Sequence, residues 1–280
     1  MEKDNQKRAL AIHDISCFGR CSLTVALPIL SAAGIETAVL PTAVLSTHTG
    51  GFTGYTFHDM TREMMPTARH WKKLGIEFDA LYTGYLGGSK QISVVSKIFD
   101  MFGQFAIKYV DPVMGDNGKL YDNFPVDFPS EMYKLCTRAD IILPNLTEAA
   151  LLVQQPPDHF LQKTHSPAVI QQLLKDLADI CNHMPILTGV SFEQGKIGAA
   201  AFDKSNGKFY YAFSEEVAGM YHGTGDIFSS VVLAGLLRDY DVQTSLENAV
   251  EFVSKAVMRT QTAGTDIRFG VNFEESLKYI

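Results

Sequence analysis

The stretch His222-Gly223-Thr224-Gly225-Asp226, running directly into Ile227-Phe228-Ser229-Ser230-Val231-Val232-Leu233-Ala234-Gly235-Leu236-Leu237, sets the reading of the whole chain. Two glycines around a threonine let the backbone turn tightly and come close to a ligand. The apolar run behind them spells a helix of about three turns with almost no polar face. Such a helix belongs in a core, because a bilayer span needs roughly 20 apolar residues. A glycine turn at the start of a buried helix presents free backbone N–H groups and the positive end of the helix dipole, a setting that holds phosphate. Asp226 would repel that phosphate unless it takes a proton from an attacking hydroxyl. The amides of Gly223, Thr224 and Gly225 with the carboxylate of Asp226 thus combine an anion hole and a general base, the parts needed for phosphoryl transfer to an alcohol. An aspartate near a helix start is also an ordinary capping residue, so the remainder of the chain has to decide.

Upstream, short apolar strands alternate with helices. Arg8 to Ile12 reads as a strand, His13 to Ser22 as a polar loop, and Leu23 to Ala33 as a helix closed by Gly34. Thr37 to Leu40 is the next strand, and Leu45 to Tyr55, rich in glycine and hydroxyls, reads as a functional loop. His58 to Leu74 is predicted helical, with Met60, Met64 and Trp71 toward the core. Ala80 to Thr83, Ala106 to Val110, Ile141 to Leu143 and Pro185 to Thr188 are predicted strands, with helices over Gln91 to Phe102 and Pro167 to Cys181. A hairpin follows, Lys196 to Phe202 and Lys208 to Phe213, turning at Ser205-Asn206-Gly207. The last helices are Gly225 to Tyr240 and Ser245 to Ala263, the second with a Thr244/Glu247 capping box. This alternation predicts an α/β three-layer sandwich with a central, mostly parallel sheet flanked by helices. Ligands then belong at the carboxyl ends of the strands.

With 280 residues, 46% of them hydrophobic and 20% charged, the chain suits one large globular domain over residues 1–280. The net charge of -7 argues against a broad nucleic-acid or anionic-membrane surface. Met1 to Arg8 is charged and lacks an apolar secretion core, and no run is long enough to cross a membrane, so a cytoplasmic protein is expected. The four cysteines, Cys17, Cys21, Cys136 and Cys181, form neither a disulfide framework nor a zinc site and are expected as reduced packing residues.

Two acidic loops follow predicted strands. Asp111-Pro112-Val113-Met114-Gly115-Asp116 places two carboxylates where a metal or its waters can meet phosphates, although Asp-Pro also starts ordinary turns. Asn145-Leu146-Thr147-Glu148 has the look of a helix cap and offers a further carboxylate. The phosphate loop Gly-x-x-x-x-Gly-Lys-Ser/Thr is absent, as is the protein-kinase motif set.

Taken together, Gly223-Thr224-Gly225-Asp226, Asp111 to Asp116 and Asn145 to Glu148 resemble the ribokinase-like superfamily, and within it the pyridoxal kinases. Phe18-Gly19, Ser46-Thr47-His48-Thr49 and Gly84-Tyr85-Leu86-Gly87 support the resemblance, which runs in order from about Ala9 to Ala263. It implies ATP-dependent phosphorylation of the 5′-hydroxymethyl group of a vitamin B6 vitamer. By position, Asp226 is similar to the family's base and Gly223, Thr224 and Gly225 to its anion hole. Asp111, Asn145, Glu148 and Thr188 resemble ATP-binding positions, with Asp111, Asp116 and Glu148 near Mg²⁺. Asp14, Phe18, Thr47, His48, Tyr85 and Asp226 resemble substrate-binding positions. A flat contact from Tyr85 or Phe18 and hydrogen bonds from Asp14, Thr47 and His48 suit a planar heteroaromatic ring; His13 reads as structural. The resemblance further implies ATP and Mg²⁺, with a monovalent cation such as K⁺ left open, and a homodimer acting on a small molecule.

Two positions depart from the family. Asp14 stands where several pyridoxal kinases carry serine, and Thr188 where some carry lysine, so a neutral hydroxyl replaces a cation. The alternatives are a hydroxymethylpyrimidine kinase of thiamine synthesis and a non-catalytic ligand-binding relative, both compatible with the same motifs.

Overall fold

The computed structural model describes residues 6–219 and 221–280; Met1 to Asn5, within the charged opening segment, and Met220 lie outside the described residues. Strand β1 (Arg8–Ser16) leads through α1 (Leu23–Ala32) to β2 (Glu36–Leu45), and the short β3 (Phe57–Asp59) precedes α2 (Thr61–Lys73). Next come β4 (Ala80–Thr83), α3 (Ser89–Phe102), β5 (Ile107–Val110) and a small hairpin, β6 (Gly115–Asp116) with β7 (Lys119–Leu120). Then α4 (Phe128–Cys136), β8 (Ile141–Ile142), α5 (Leu146–Leu152), α6 (Pro167–Ala178) and β9 (Met184–Val190) lead to the hairpin β10 (Lys196–Asp203) and β11 (Lys208–Glu215). Helices α7 (Thr224–Leu237) and α8 (Val242–Ala263) are followed by 3-10 turns at Ile267–Phe269 and Glu274–Tyr279.

Among the described residues, nine strands form one sheet in the order β11-β10-β9-β8-β5-β4-β1-β2-β3. The six inner strands from β9 to β2 run parallel, while β3, β10 and β11 pair antiparallel at the two margins. Strand alternation divides the core in two. Leu10, Ile12, Leu81 and Val110 pack under residues of α2 to α6. Ala9, Ala80, Tyr82 and Tyr109 pack under α1, α7 and α8. Helix α7 is buried along nearly its whole length from Ile227 to Leu237, as its uniform apolarity demands. The expected sandwich is what the chain forms.

The structure also corrects local expectations. Strand β1 continues through His13-Asp14-Ile15-Ser16 instead of entering a loop, because His13, Asp14 and Ser16 are buried and the pairing with β2 resumes at Ile15 after a register shift. Strand β2 likewise passes Pro41 to reach Leu45; Pro41 precedes the stretch that pairs with the marginal strand β3, where a missing N–H is tolerated. His58 lies in β3 and not in a helix, and α2 starts after Met60. Met64 is fully buried and Trp71 partly so. Helix α4 and the β6–β7 hairpin were not anticipated; α5 starts at the cap expected at Asn145 but spans only seven residues, too few for a periodic signal. The N-terminus of α8 is capped by Asp241, which accepts from the Thr244 amide at 2.8 Å, while Glu247 bonds Gln243; the Thr244/Glu247 box does not form. All four cysteines are free, and Cys17 is exposed and lies outside the core.

Candidate active site

The parallel strands deliver their ends to one row. Asp14 comes from β1, Gly84 and Tyr85 follow β4, Asp111 follows β5, Asn145 follows β8, and Thr188 lies on β9, bridged to Asn145. The amino end of α7 faces this row. Gly223 adopts φ 81°, and a Cβ there would sit 2.2 Å from the Arg20 carbonyl oxygen, so only glycine lets the 17–22 loop lie against the helix start. Around Gly225, by contrast, the space is open. No side chain caps α7, which leaves its first-turn amides for an anion.

Asp226 is half-buried and turns away from capping. Its Oδ2 accepts from the Ser22 amide at 2.8 Å and from the Cys21 thiol at 3.4 Å. Burial pushes its pKa from 3.8 up to about 6, helped by the charge of Asp14 and opposed by the Ser22 amide. A carboxylate with that value is ionised at neutral pH and still basic enough to take a proton.

Asp14 is buried close by. Its Oδ2 accepts from the Ser16 hydroxyl at 3.0 Å and its Oδ1 from the Ser22 hydroxyl, while burial raises its pKa. Ser22 escaped the sequence reading because serine before an apolar run looks like a helix cap; in the structure it makes no capping bond to α1.

The residues expected around a flat ligand have unequal freedom. The Tyr85 hydroxyl accepts from Asn123 Nδ2 at 2.7 Å, and burial together with the charge of Asp14 lifts its pKa to about 12. Phe18 is half exposed at the rim and meets Phe269 and Phe52 edge-on, at 5.0 and 6.4 Å between ring centres. Neither Phe52 nor Phe269 was singled out from the sequence. Among the described residues the buried Thr47 hydroxyl oxygen has no hydrogen-bond partner, which leaves it free to bond a ligand. His48 is not free: Nε2 donates to the Arg268 carbonyl at 2.6 Å and Nδ1 accepts from the Gly50 amide at 3.1 Å. Burial lowers its pKa, so the ring stays neutral and pins its loop to the segment around Arg268. His13, fully buried with both ring nitrogens unpartnered, is held down to about 3 by desolvation. Its ring lies edge-on to Tyr82 and fills the space over Gly84, in keeping with a structural residue.

The acidic loops interlock. Glu148 Oε1 accepts from the amides of Met114 (3.0 Å) and Gly115 (3.5 Å), and Oε2 from the amide of Asn145 (2.9 Å). Asn145 caps α5 through the Glu148 amide and donates Nδ2 to the Gly115 carbonyl, both at 2.9 Å. Both residues therefore hold the Asp111–Asp116 loop in place. Asp116 is exposed and bonds Asn117. Asp111 is buried, and no hydrogen bond to its carboxyl oxygens is found among the described residues. Burial and the neighbouring Glu148 and Asp226 raise it far above the carboxylate range. Burial raises Glu148 as well, to about 8, against the three amides that favour its ionised form, so of the two acids Asp111, with no such amides, holds a proton the more firmly. A cation arriving beside Asp111 would displace that proton.

Among the described residues, no group of three or more His, Cys, Asp or Glu side chains could cage a metal. The donor set instead fits Mg²⁺ brought in on phosphates, which needs only one or two protein carboxylates. Of the three acids expected near the metal, Asp111 alone has uncommitted oxygens deep in the site.

The chain matches the family model described as phosphomethylpyrimidine kinase over residues 27–270. A solved structure from Bacteroides thetaiotaomicron, provisionally named a phosphomethylpyrimidine kinase and crystallised with pyridoxal, superimposes with a TM-score of 0.91. It is 36% identical and covers 98% of this chain and 95% of its own. Pyridoxal kinase from Lactobacillus plantarum superimposes with a TM-score of 0.88 at 32% identity, covering 98% of this chain and 96% of its own. A Schizosaccharomyces pombe protein provisionally named a pyridoxal kinase is 25% identical over 257 residues, which is 88% of this chain and 79% of that protein.

Proposed function

The chain belongs to the phosphomethylpyrimidine kinase family, with the ribokinase-like fold, and we propose that it phosphorylates the 5′-hydroxymethyl group of a vitamin B6 vitamer. It is an ATP-dependent kinase. The observation that carries the chemistry is Asp226, raised to about 6 and held by the Ser22 amide beside the uncapped start of α7. Relatives at 32% and 36% identity, one a pyridoxal kinase and one crystallised with pyridoxal, support the choice of acceptor.

In this reading the acceptor hydroxyl oxygen bonds to the γ-phosphorus in line with the departing ADP oxygen. The β–γ bridging bond breaks, and the hydroxyl proton passes to Asp226. Oδ2 is occupied by Ser22 and Cys21, which leaves Oδ1 to receive it. The first-turn amides of α7 face the charge on the transferring phosphoryl group, the main electrostatic demand of such a reaction. Asp111 would hold Mg²⁺, which neutralises phosphate charge when bound. Thr47 and Tyr85 line the acceptor side, and Asp14 supplies a buried acidic group to the ring substituents. A cationic 4-aminomethyl group would meet Asp14 favourably, so pyridoxamine is the expected preferred vitamer.

The family's own description, phosphomethylpyrimidine kinase, favours a second acceptor class, hydroxymethylpyrimidine or its phosphate. An ADP-release assay with Mg-ATP decides between them, run in parallel on pyridoxal, pyridoxamine, pyridoxine and hydroxymethylpyrimidine. The B6 reading requires kcat/KM for one vitamer at least about tenfold above the pyrimidine; the reverse order overturns it. If Asp14→Ser leaves the vitamer ranking unchanged, the pairing with an aminomethyl group is wrong.

A further inference from the structure

Ser22 holds the two acids of the site at once, and its backbone is bent to do so. Its amide donates to Asp226 Oδ2 at 2.8 Å, and its hydroxyl donates to Asp14 Oδ1. The residue sits at φ 56°, ψ −127°, a conformation natural to glycine and strained for serine. We propose that Ser22 is a positioning residue that sets the spacing and charge of the substrate-side acid Asp14 relative to the base Asp226. Glycine would supply the same amide without strain but has no hydroxyl, so the strain is tolerated for the bond to Asp14. Other residues fix the surrounding parts without making this link. Ser16 reaches only Asp14, and the Cys21 thiol reaches only Asp226. With Oδ1 and Oδ2 of Asp14 each accepting a hydroxyl hydrogen bond, the carboxylate keeps one orientation while it stands near a second negative charge.

The inference rests on the kinase reading for its kinetic part, and a ligand-free measurement keeps it separable. Two variants split the roles of the residue. Ser22→Gly keeps the amide, relieves the strain and removes the hydroxyl; Ser22→Ala removes the hydroxyl and keeps the strain. The titration of Asp14 is followed by carboxyl carbon NMR in the ligand-free protein. The groups facing it are Ser16, Ser22, Cys21, Asp226 and Tyr85. Loss of a hydroxyl donor to the ionised form should raise the Asp14 midpoint by about one pH unit in both variants. In turnover, KM for the accepted vitamer should rise about tenfold in both. The kcat value should move less than about threefold, because the amide still orients Asp226. Thermal stability should part the pair, with the glycine variant melting above the alanine variant. An unchanged Asp14 midpoint and KM in a folded Ser22→Gly protein overturns the proposal. Failure of the wild type to phosphorylate any vitamer would instead overturn the choice of acceptor, and the titration would still decide the role of Ser22.

Discussion

Replacing Asp226 by asparagine should make the protein both inactive and more stable. The carboxylate is held among desolvating neighbours with Asp14 nearby, and its pKa stands at about 6 against an ordinary 3.8. At 1.36 kcal/mol per pH unit, that displacement corresponds to about 3 kcal/mol of native-state cost once the group is ionised. Asp226 is only half-buried, so solvent screening reduces the expected figure to about 1–2 kcal/mol. Asparagine keeps an oxygen for the Ser22 amide and removes the charge. The sign follows from proton counts. Between pH 3.8 and 6 the unfolded chain has lost the proton and the native protein retains it, so wild-type stability falls as pH rises through that window and levels above it. Urea denaturation of wild type and Asp226→Asn, in steps from pH 4 to pH 8, should therefore give equal stabilities near pH 4. By pH 8 the variant should lead by about 1–2 kcal/mol. The same variant should lose about 10²–10⁴ in kcat, the range for a general base. A variant less stable than wild type at pH 8, or a difference that does not vary with pH, would show that Asp226 is not under the charge strain described.

The kcat/KM profile should fall about tenfold per pH unit below an apparent pKa near 6, where the base becomes protonated; activity holding level down to pH 5 would remove Asp226 from that role. The two glycines of the helix turn should behave oppositely. Gly223→Ala meets the Arg20 carbonyl at positive φ and should cost at least about 2 kcal/mol in denaturant unfolding, whereas Gly225→Ala should fold normally and raise KM for ATP by filling ligand space. Equal stability losses in the two would contradict this contrast. His13 contributes a stability that is lost on acidification. Between its ordinary 6.5 and about 3 the unfolded chain binds a proton that the native protein refuses, at about 1.4 kcal/mol per pH unit, and His13→Leu should lack that slope.

Several features of the site were readable in the chain because their signals are local. The run from Ile227 to Leu237 has no polar face, so its burial follows from composition alone. Gly223 and Gly225 before it, and the acids of the loops after strands, fall at the carboxyl edge of a parallel sheet, where ligands bind, although each motif alone has an ordinary reading. Roles within the site were less readable. Glu148 and Asp111 look alike as acids after strands, yet one is consumed by three amides and the other is left open. His48 among hydroxyls and glycines suggests a ligand contact, but both its nitrogens are engaged by backbone. The capping box at α5 was present in Asn145 and Glu148, although the helix itself was too short to be recognised.

The sequence alone determined the alternation of strands and helices, the buried helix with its glycine turn, and the set of candidate polar residues. These depend on periodicity and residue type over a few turns of chain. The tertiary structure alone decided which polar groups are spent on the fold and which remain for chemistry. Ser22 and Asp226 are 204 positions apart, and His48 and Arg268 are 220 apart. Their pairing depends on where β1, β2, α7 and the closing segment meet, and burial at that junction sets the charge on Asp14, Asp111 and Asp226. Desolvation is a property of the packed molecule, and no local pattern encodes it.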